Sequence, residues 1–224
     1  MDIARIAELL APFLATEPSA VLSANQLQSI STYVDILLRW NARINLTAVR
    51  QPDEIVTRHF GESLFAARHL FPCTPERTVG PHVIDVGSGA GFPGLPIKIW
   101  DPEIRLTLIE SNQKKAIFLR EVVRALTLTN VDVFAGRAQD LPATGSPADV
   151  VTLRAVERFD SIVPIAARLV APASRLAILV GEAQTEHLRT LVPQMKWAKP
   201  IKLPLSSNRV LIIGTLIIGT KEPI

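Results

Sequence analysis

Gly87, Gly89 and Gly91 alternate at the end of a short apolar run, His82-Val83-Ile84-Asp85-Val86, and lead into Phe92-Pro93-Gly94. Glycines at this spacing strip a strand-to-helix turn of side chains, so that a ligand can lie on the main chain, and they accept the positive φ values of a tight turn. A second apolar run, Arg105 to Ile109, ends on Glu110, 23 positions after Gly87. A carboxylate about 20 residues beyond such a loop is placed to accept from ribose hydroxyls. Together the two features predict a site for an adenosine-containing cofactor.

Gly-x-Gly loops serve nicotinamide, flavin and S-adenosylmethionine alike. Asp85 narrows the choice, because its position two residues before the first glycine resembles the Asp/Glu-x-Gly-x-Gly-x-Gly motif of class I S-adenosylmethionine-dependent methyltransferases. A carboxylate there repels a pyrophosphate but tolerates a zwitterionic amino acid tail. Asp85 is expected to fix the loop and to meet the methionine ammonium, directly or through water. The plain alternative is a strand-turn-helix without a ligand.

These residues need elements to hold them. From His82 onward, strand patterns (82–87, 105–110, 130–134, 148–153, 174–181) alternate with helical ones (93–100, 112–126, 158–170, 182–192). That alternation predicts an α/β fold with a mostly parallel, Rossmann-like sheet and ligands at the carboxyl ends of its strands. The stretches 196–203 and 208–219 look like a final strand pair with no helix between them, and a closing hairpin with an antiparallel last strand is what the resemblance to class I methyltransferases implies. Residues 1–75 carry helical patterns only and form a small N-terminal helical subdomain, with 76–224 as the Rossmann-like domain. Ser23 and Gln26 have the spacing of a capping box before an apolar stripe at Leu27, Ile30, Val34, Leu37 and Leu38. Pro52, Asp53 and Glu54 open a further helix that buries Ile55, Val56, Phe60, Leu64 and Ala67. Pro72, Pro75, Gly80 and Pro81 mark the boundary.

At 224 residues the chain can bury a core of ordinary size. Cys73 is the only cysteine, which excludes an intramolecular disulfide and a cysteine-based metal site; no metal is expected, and a reducing cytoplasm is the default compartment. The first fifteen residues are amphipathic, with Asp2 and Glu8 among the apolar ones and no basic leader. No uncharged apolar run approaches the ~18–20 residues that span a bilayer, so no membrane association is expected. Net charge is +3 with a pI near 9.3, which permits a nucleic-acid partner without requiring one. Between Ser111 and Leu126 the cations Lys114, Lys115, Arg120 and Arg124 face the single anion Glu121.

Several blocks resemble one family in order and spacing. They are Trp40-Asn41-Ala42-Arg43-Ile44-Asn45-Leu46-Thr47, Arg58-His59-Phe60-Gly61-Glu62-Ser63-Leu64, Asp85 through Pro96, Lys114 through Arg120, Gly136-Arg137-Ala138 and Leu153-Arg154-Ala155. Over about Leu27 to Val210 the chain is similar to the bacterial small-subunit ribosomal RNA guanine-N7 methyltransferases, the glucose-inhibited division B family. The resemblance implies methyl transfer from S-adenosylmethionine to N7 of one guanosine of 16S rRNA, with Gly87 and Phe92 lining the cofactor site, Ala138 and Gln139 meeting the adenine, and Arg154 lining the pocket. Gly61-Glu62 departs from the family's usual apolar-Asp pair, and Gln139 stands where Glu is frequent.

The residues agree with that reaction by elimination. A pyrimidine C5 methyltransferase needs a thiolate near the site, and Cys73 precedes the cofactor domain. An exocyclic-amine enzyme would carry an Asn/Asp-Pro-Pro-aromatic tetrapeptide after the fourth strand, where this chain reads Thr152-Leu153-Arg154-Ala155. Guanine N7 already presents an in-plane lone pair and loses no proton, so position and electrostatics suffice. Arg154, at the end of the fourth strand, is the candidate positioning residue, against a structural alternative in which it pairs with Asp85 or Glu157.

Lys114, Lys115, Arg120 and Arg124, with Arg58 and His59, are expected to face the RNA, each with a solvated helix face or a structural role as its alternative. Twelve aromatic residues show no repeat of a dedicated RNA-binding module, so an assembled small ribosomal subunit is the expected partner. A monomer is expected. Two other functions remain open on the sequence: a class I methyltransferase for a small molecule or protein, and a nicotinamide-dependent oxidoreductase. Leu211-Ile212-Ile213-Gly214-Thr215 is repeated at once as Leu216 to Thr220, a tandem copy that lengthens the last strand.

Overall fold

Ser23 and Gln26 close the capping box that their spacing predicts: Ser23 Oγ accepts from the Gln26 amide at 3.3 Å, and Gln26 Oε1 accepts from the Ser23 amide at 2.8 Å. The box starts helix α2 (Ala24–Asn41). In the same computed structural model, which describes residues 1–14, 21–71, 80–142 and 147–217, the Gln26 side chain also donates to the carbonyls of Ile99 and Trp100, at 2.8 and 3.1 Å. One residue therefore caps its own helix and satisfies carbonyls at the end of another, α5 (Gly94–Trp100), which ties the N-terminal helices to the sheet layer. The boundary residues Pro72 and Pro75, and Cys73, lie outside the described residues.

Helix α1 (Ile3–Leu14) buries Ile6, Leu10 and Phe13. Phe13 packs on Gly61, where a Cβ would stand 2.5 Å from the ring. The helix expected from Pro52 is present but not uniform: α3 (Pro52–Glu54) passes into a π-helix over Ile55–Gly61 and then α4 (Glu62–Leu70). All five residues expected to be buried there are buried. The π-helical stretch carries Arg58 and His59 and delivers Glu62, and such widened turns occur frequently at functional sites.

Among the described residues the sheet has eight strands: β1 (His82–Val86), β2 (Arg105–Ile109), β3 (Val131–Phe134), β4 (Ala148–Arg154), β5 (Val170–Gly181), β6 (Met195–Trp197), β7 (Ile201–Lys202) and β8 (Arg209–Leu216). Their order is β3-β2-β1-β4-β5-β8-β6, with β7 also on β8. The first five are mutually parallel and β8 runs antiparallel between β5 and the β6/β7 edge. Val86 is level with both Ile109 and Leu153, so the turns after β1, β2 and β4 open at one edge. That shared edge positions the site.

Two apolar layers cover the sheet. The N-terminal helices, α5 and α6 (Gln113–Ala125) share one core with one face, and α7 (Phe159–Ala167) and α8 (Thr185–Leu191) pack with the other. Four expectations need correction. The helix of 158–170 stops at Ala167 and β5 starts at Val170, four residues before its expected start. The helix of 182–192 begins as a 3-10 turn at Glu182–Gln184. The single strand of 196–203 is two short ones on β8: the ladder of the first runs on through the Ala198 amide, which donates to the Ile213 carbonyl, and is interrupted at Lys199 and Pro200. Of the tandem repeat, the first copy lies wholly within β8, which ends at Leu216 of the second; the Ile217 amide then donates to the Gln194 carbonyl at 3.1 Å, and Ile218 to Thr220 lie outside the described residues.

Candidate active site

The loop after β1 is held from beneath by its neighbour strand. The amides of Gly87 and Ser88 both donate to the Ile109 carbonyl, at 2.9 and 3.0 Å, and Ser88 Oγ donates to the Asp85 carbonyl at 3.0 Å. Gly87, Gly89 and Gly91 take φ values of 71°, 56° and 88°, the left-handed region that favours glycine. Only Gly89 has open space where a Cβ would stand, its nearest neighbour being the Gly87 carbonyl oxygen at 3.8 Å. A Cβ on Gly91 would instead meet the Tyr33 hydroxyl and stand 2.6 Å from Leu95 Cδ1. Gly89 is thus bare toward the cavity and Gly91 is bare toward the core, which corrects the expectation that all three glycines clear space for a ligand.

Glu110, 7% exposed, joins that loop to the next. Its Oε2 accepts from the Gly89 amide at 2.8 Å and its Oε1 from the Asn112 amide at 2.7 Å, while the Asn112 side chain caps α6 through the amides of Lys114 and Lys115. Each carboxylate oxygen keeps a lone pair for a further donor. Asp85 has turned the other way. It is fully buried, with Oδ1 accepting from Thr152 Oγ at 2.8 Å and Oδ2 from the Gly94 amide at 3.3 Å. It fixes the start of α5 and does not line the cavity. Burial pushes its pKa up to about 6 against the opposing pull of those hydrogen bonds.

A cavity of about 790 Å³ lies above the loop, bounded by Gly87 to Ala90, Phe92, Glu110, Leu46 to Val49 and the end of β4. Its volume suits a small-molecule site of ~300–1,000 Å³. The bare Gly89 backbone beside the Glu110 carboxylate fits the adenosine and amino acid parts of S-adenosylmethionine.

Arg154 leaves the end of β4 into this cavity wall and meets the π-helix. Its Nη2 donates to the Arg58 carbonyl at 2.8 Å and to His59 Nδ1 at 2.9 Å, and it lies 3.2 Å from Glu62 Oε2. The partner is therefore Glu62, neither Asp85 nor Glu157. Since the guanidinium can only donate, His59 Nδ1 accepts and Nε2 carries the proton, donating to Thr47 Oγ at 2.8 Å. Burial, together with Arg154, Arg58 and Arg209, brings the His59 pKa down to about 3 and keeps the ring neutral. Burial also lowers that of Arg154 to about 10, which leaves it charged at neutral pH. Glu62 Oε1 takes a second guanidinium, Arg209 Nη1 at 2.5 Å.

Five aromatic residues brace the loop from the core side. Tyr33 lies parallel to Phe92 and donates its hydroxyl to the Ala90 carbonyl, with Phe60, Phe118 and His59 around them. The Arg154 guanidinium stands 5.8 Å from the Phe92 centroid. Tyr33, Thr47, Glu62 and Arg209 are site residues that sequence reasoning did not assign. Tyr33, the single tyrosine, falls on the apolar stripe of α2, which was the available signal.

The other expected residues divide. Gly87, Gly89, Phe92, Glu110, Arg58, His59, Lys115 and Arg154 line the cavity. Ala138 is buried and Gln139 exposed on a 3-10 turn, Ala138–Asp140, and neither lines it. Arg120 and Arg124 border a separate groove against β3, where Arg120 Nη2 donates to the Val133 carbonyl at 3.1 Å, and Lys114 is exposed beyond the rim. His59 is 8% exposed and belongs to the cavity wall, so it is not an outward-facing RNA contact. Among the described residues no cluster of three or more His, Cys, Asp or Glu side chains could hold a metal ion, and no helix is long and apolar enough to cross a membrane.

The strand order speaks against the nicotinamide-dependent reading, since a dinucleotide fold runs 3-2-1-4-5-6 and this sheet inserts an antiparallel strand between its fifth and sixth. Solved structures with the same fold include the magnesium protoporphyrin IX methyltransferase of Synechocystis PCC 6803 with bound SAM, with a TM-score of 0.62, 13% identity, and 84% and 97% of the two chains covered. Another is a SAM-dependent methyltransferase from Aquifex aeolicus, with a TM-score of 0.53, 16% identity, and 62% and 84% covered. Among relatives named ribosomal RNA small subunit methyltransferase G, that of Xylella fastidiosa (strain 9a5c) is 39% identical over 184 residues, 81% of this chain and 82% of its own. That of Chloroflexus aggregans is 36% identical over 209 residues, 89% and 85% of the two. The family model GidB, rRNA small subunit methyltransferase G, matches residues 26–209. With this loop, this strand order and a match over most of its length, the chain belongs to the GidB family of rRNA small subunit methyltransferases.

Proposed function

We propose that the protein methylates N7 of one guanosine of 16S rRNA, in the cytoplasm, with the small ribosomal subunit as the particle it acts on. Family membership supports the rRNA substrate. The observation that carries the choice of N7 is the state of the groups around Arg154: His59 is neutral with its Nδ1 already accepting from Arg154, and Glu62 is clamped by two guanidinium groups. Neither is free to take a proton, and N7 surrenders none.

The backbone of Gly87 to Ala90 and the carboxylate of Glu110 would hold S-adenosylmethionine, whose sulfonium supplies a methyl group to a lone pair aligned with it. Arg154, held by the Arg58 carbonyl, His59 and Glu62, is the positioning residue for the guanine: a fixed guanidinium fork suits acceptance by O6 beside the reacting nitrogen. Phe92 and its aromatic neighbours keep the floor rigid and dry on the core side. The described part of the N-terminal helical subdomain (1–75) acts as a wall of the site through the loop Leu46 to Val49 and the π-helix, on the cofactor domain (76–224).

The test uses small subunits from a strain lacking the homologous enzyme, incubated with the protein and labelled cofactor. The expected product carries a fixed positive charge on the guanine imidazole ring, so borohydride reduction and aniline should cut 16S rRNA at one guanosine, only after treatment. Label incorporated without scission would move the acceptor to an exocyclic amine or a ribose hydroxyl.

A further inference from the structure

Two guanidinium groups meet one carboxylate in the cavity wall, and a third lines the same cavity. Arg58 comes from the π-helix, Arg154 from the end of β4 and Arg209 from the start of β8, and all three line the cavity together with Glu62. Glu62 Oε2 lies 3.2 Å from Arg154 Nη2 and Glu62 Oε1 lies 2.5 Å from Arg209 Nη1. The acid is 3% exposed at its side chain, so the cluster has one buried negative charge for three positive ones. Arg58 has a further partner, Glu54 at 3.7 Å, but both side chains are about half exposed and such a surface pair contributes little.

The three cations are not equally placed. The Arg154 side chain is 8% exposed and spends its Nη2 on the wall, whereas those of Arg209 and Arg58 are 30% and 48% exposed. Arg209 is itself held, its Nε donating to Ser206 Oγ at 3.3 Å and its Nη1 meeting Glu62, so Nη2 is what it offers at the rim, beside the more exposed Arg58. Two partly exposed guanidinium groups on one rim, one of them held in place by Glu62 and Ser206, suit an oxyanion, and the planar fork matches a phosphate's paired oxygens. The amino acid tail of the cofactor is served from the floor by the glycine loop; the rim is what a nucleic-acid strand crosses when one base enters the cavity.

The geometry points to Arg58 and Arg209 as a clamp for a backbone phosphate next to the methylated nucleotide, with Glu62 as the residue that positions Arg209. This rests on the rRNA reading above. It differs from the basic helix α6, whose Arg120 and Arg124 border another groove.

The experiment compares Arg58→Gln, Arg209→Gln and Arg209→Lys with the wild type, measuring equilibrium binding to small subunits and kcat/KM at several salt concentrations, and S-adenosylhomocysteine binding by calorimetry. Each glutamine variant is expected to weaken subunit binding about tenfold and to reduce the slope of log affinity against log salt by about 0.7 to 1, one phosphate contact's share. Cofactor-product affinity should stay within about twofold. Arg209→Lys should keep the salt slope while recovering only part of the affinity, because an ammonium keeps the charge without the fork. Unchanged subunit binding and slope in both glutamine variants overturn the clamp. So does a selective loss of S-adenosylhomocysteine affinity, which would assign the rim to the cofactor carboxylate. If Arg209→Gln does not fold, the half-exposed Arg58→Gln decides alone. Failure of the wild type to methylate N7 strikes the proposed function, whereas the clamp is read from binding and stands or falls separately.

Discussion

Tyr33 lies flat against Phe92, with ring planes 2° apart and centroids 5.4 Å apart, and its hydroxyl donates to the carbonyl of Ala90. A residue in the middle of α2 thereby holds the cofactor loop from below. Burial raises the phenol's pKa well above its ordinary value, which keeps it a donor. Tyr33→Phe leaves a buried carbonyl without its donor and is expected to cost about 1–3 kcal/mol in urea unfolding. Cofactor-product affinity should fall as well, since the loop loses its anchor.

Gly89 and Gly91 should separate binding from folding. A methyl group on Gly89 enters open space at a φ of 56°, costing about 1–2 kcal/mol of backbone strain. Gly89→Ala is therefore expected to fold and to lose S-adenosylhomocysteine affinity. Gly91→Ala drives the same methyl group into Tyr33 and Leu95, so its unfolding midpoint should drop much further. Equal losses of stability in the two variants would show that the two glycines face alike.

Acid stability should carry two opposing contributions. Asp85, raised from 3.8 to about 6 when folded, binds its proton more tightly in the native state; its contribution is full below the unfolded value and is lost as pH rises through about 6. His59, lowered from 6.5 to about 3, contributes stability above pH 6.5 that is lost as pH falls toward 3. Unfolding free energies between pH 7 and pH 4 should fall more steeply for Asp85→Asn than for the wild type, and less steeply for His59→Gln. The reverse order would contradict both assignments.

The Arg58 carbonyl, His59 and Glu62 all meet Arg154 at Nη2, so Arg154→Lys keeps a charge for them but loses the planar fork that would present a second nitrogen to the guanine. A loss of kcat on the order of 100-fold is expected, the scale for about 1 Å of misplacement, with little change in S-adenosylhomocysteine affinity. Single-turnover kinetics on small subunits measure it.

Removing Leu216 to Thr220 should leave the pairing of β5 with β8 intact, since that register ends at Arg175 opposite Thr215. Activity is expected to survive, with a small loss of stability from the missing contact of Leu216 with Met195. A large loss of activity would give the second copy of the repeat a role in the fold.

The glycine loop, Glu110 and the alternating strands were legible because each is local. Glycine spacing, an acid ending an apolar run and a change from helical to strand periodicity are all carried by neighbours in sequence. The capping box of Ser23 and Gln26 was legible for the same reason, though its second use, the Gln26 bonds to Ile99 and Trp100, was not.

What the tertiary structure alone decided is which groups meet. Arg154 finds the Arg58 carbonyl 96 positions away, and Glu62 on one helix end gathers arginines from β4 and β8. No periodicity encodes such a partnership, because it depends on where parallel strands end and how the N-terminal helices cross them. The π-helix is hidden for a related reason: Ile55, Val56 and Phe60 are buried as in an ordinary helix, while the widened turn is set by what packs on it. Asp85 and Gly91 show the limit most directly. Their residue types marked the loop correctly, but the direction each faces, into the core and away from the cavity, follows from Thr152, Gly94, Tyr33 and Leu95, which reach the loop only in the folded chain.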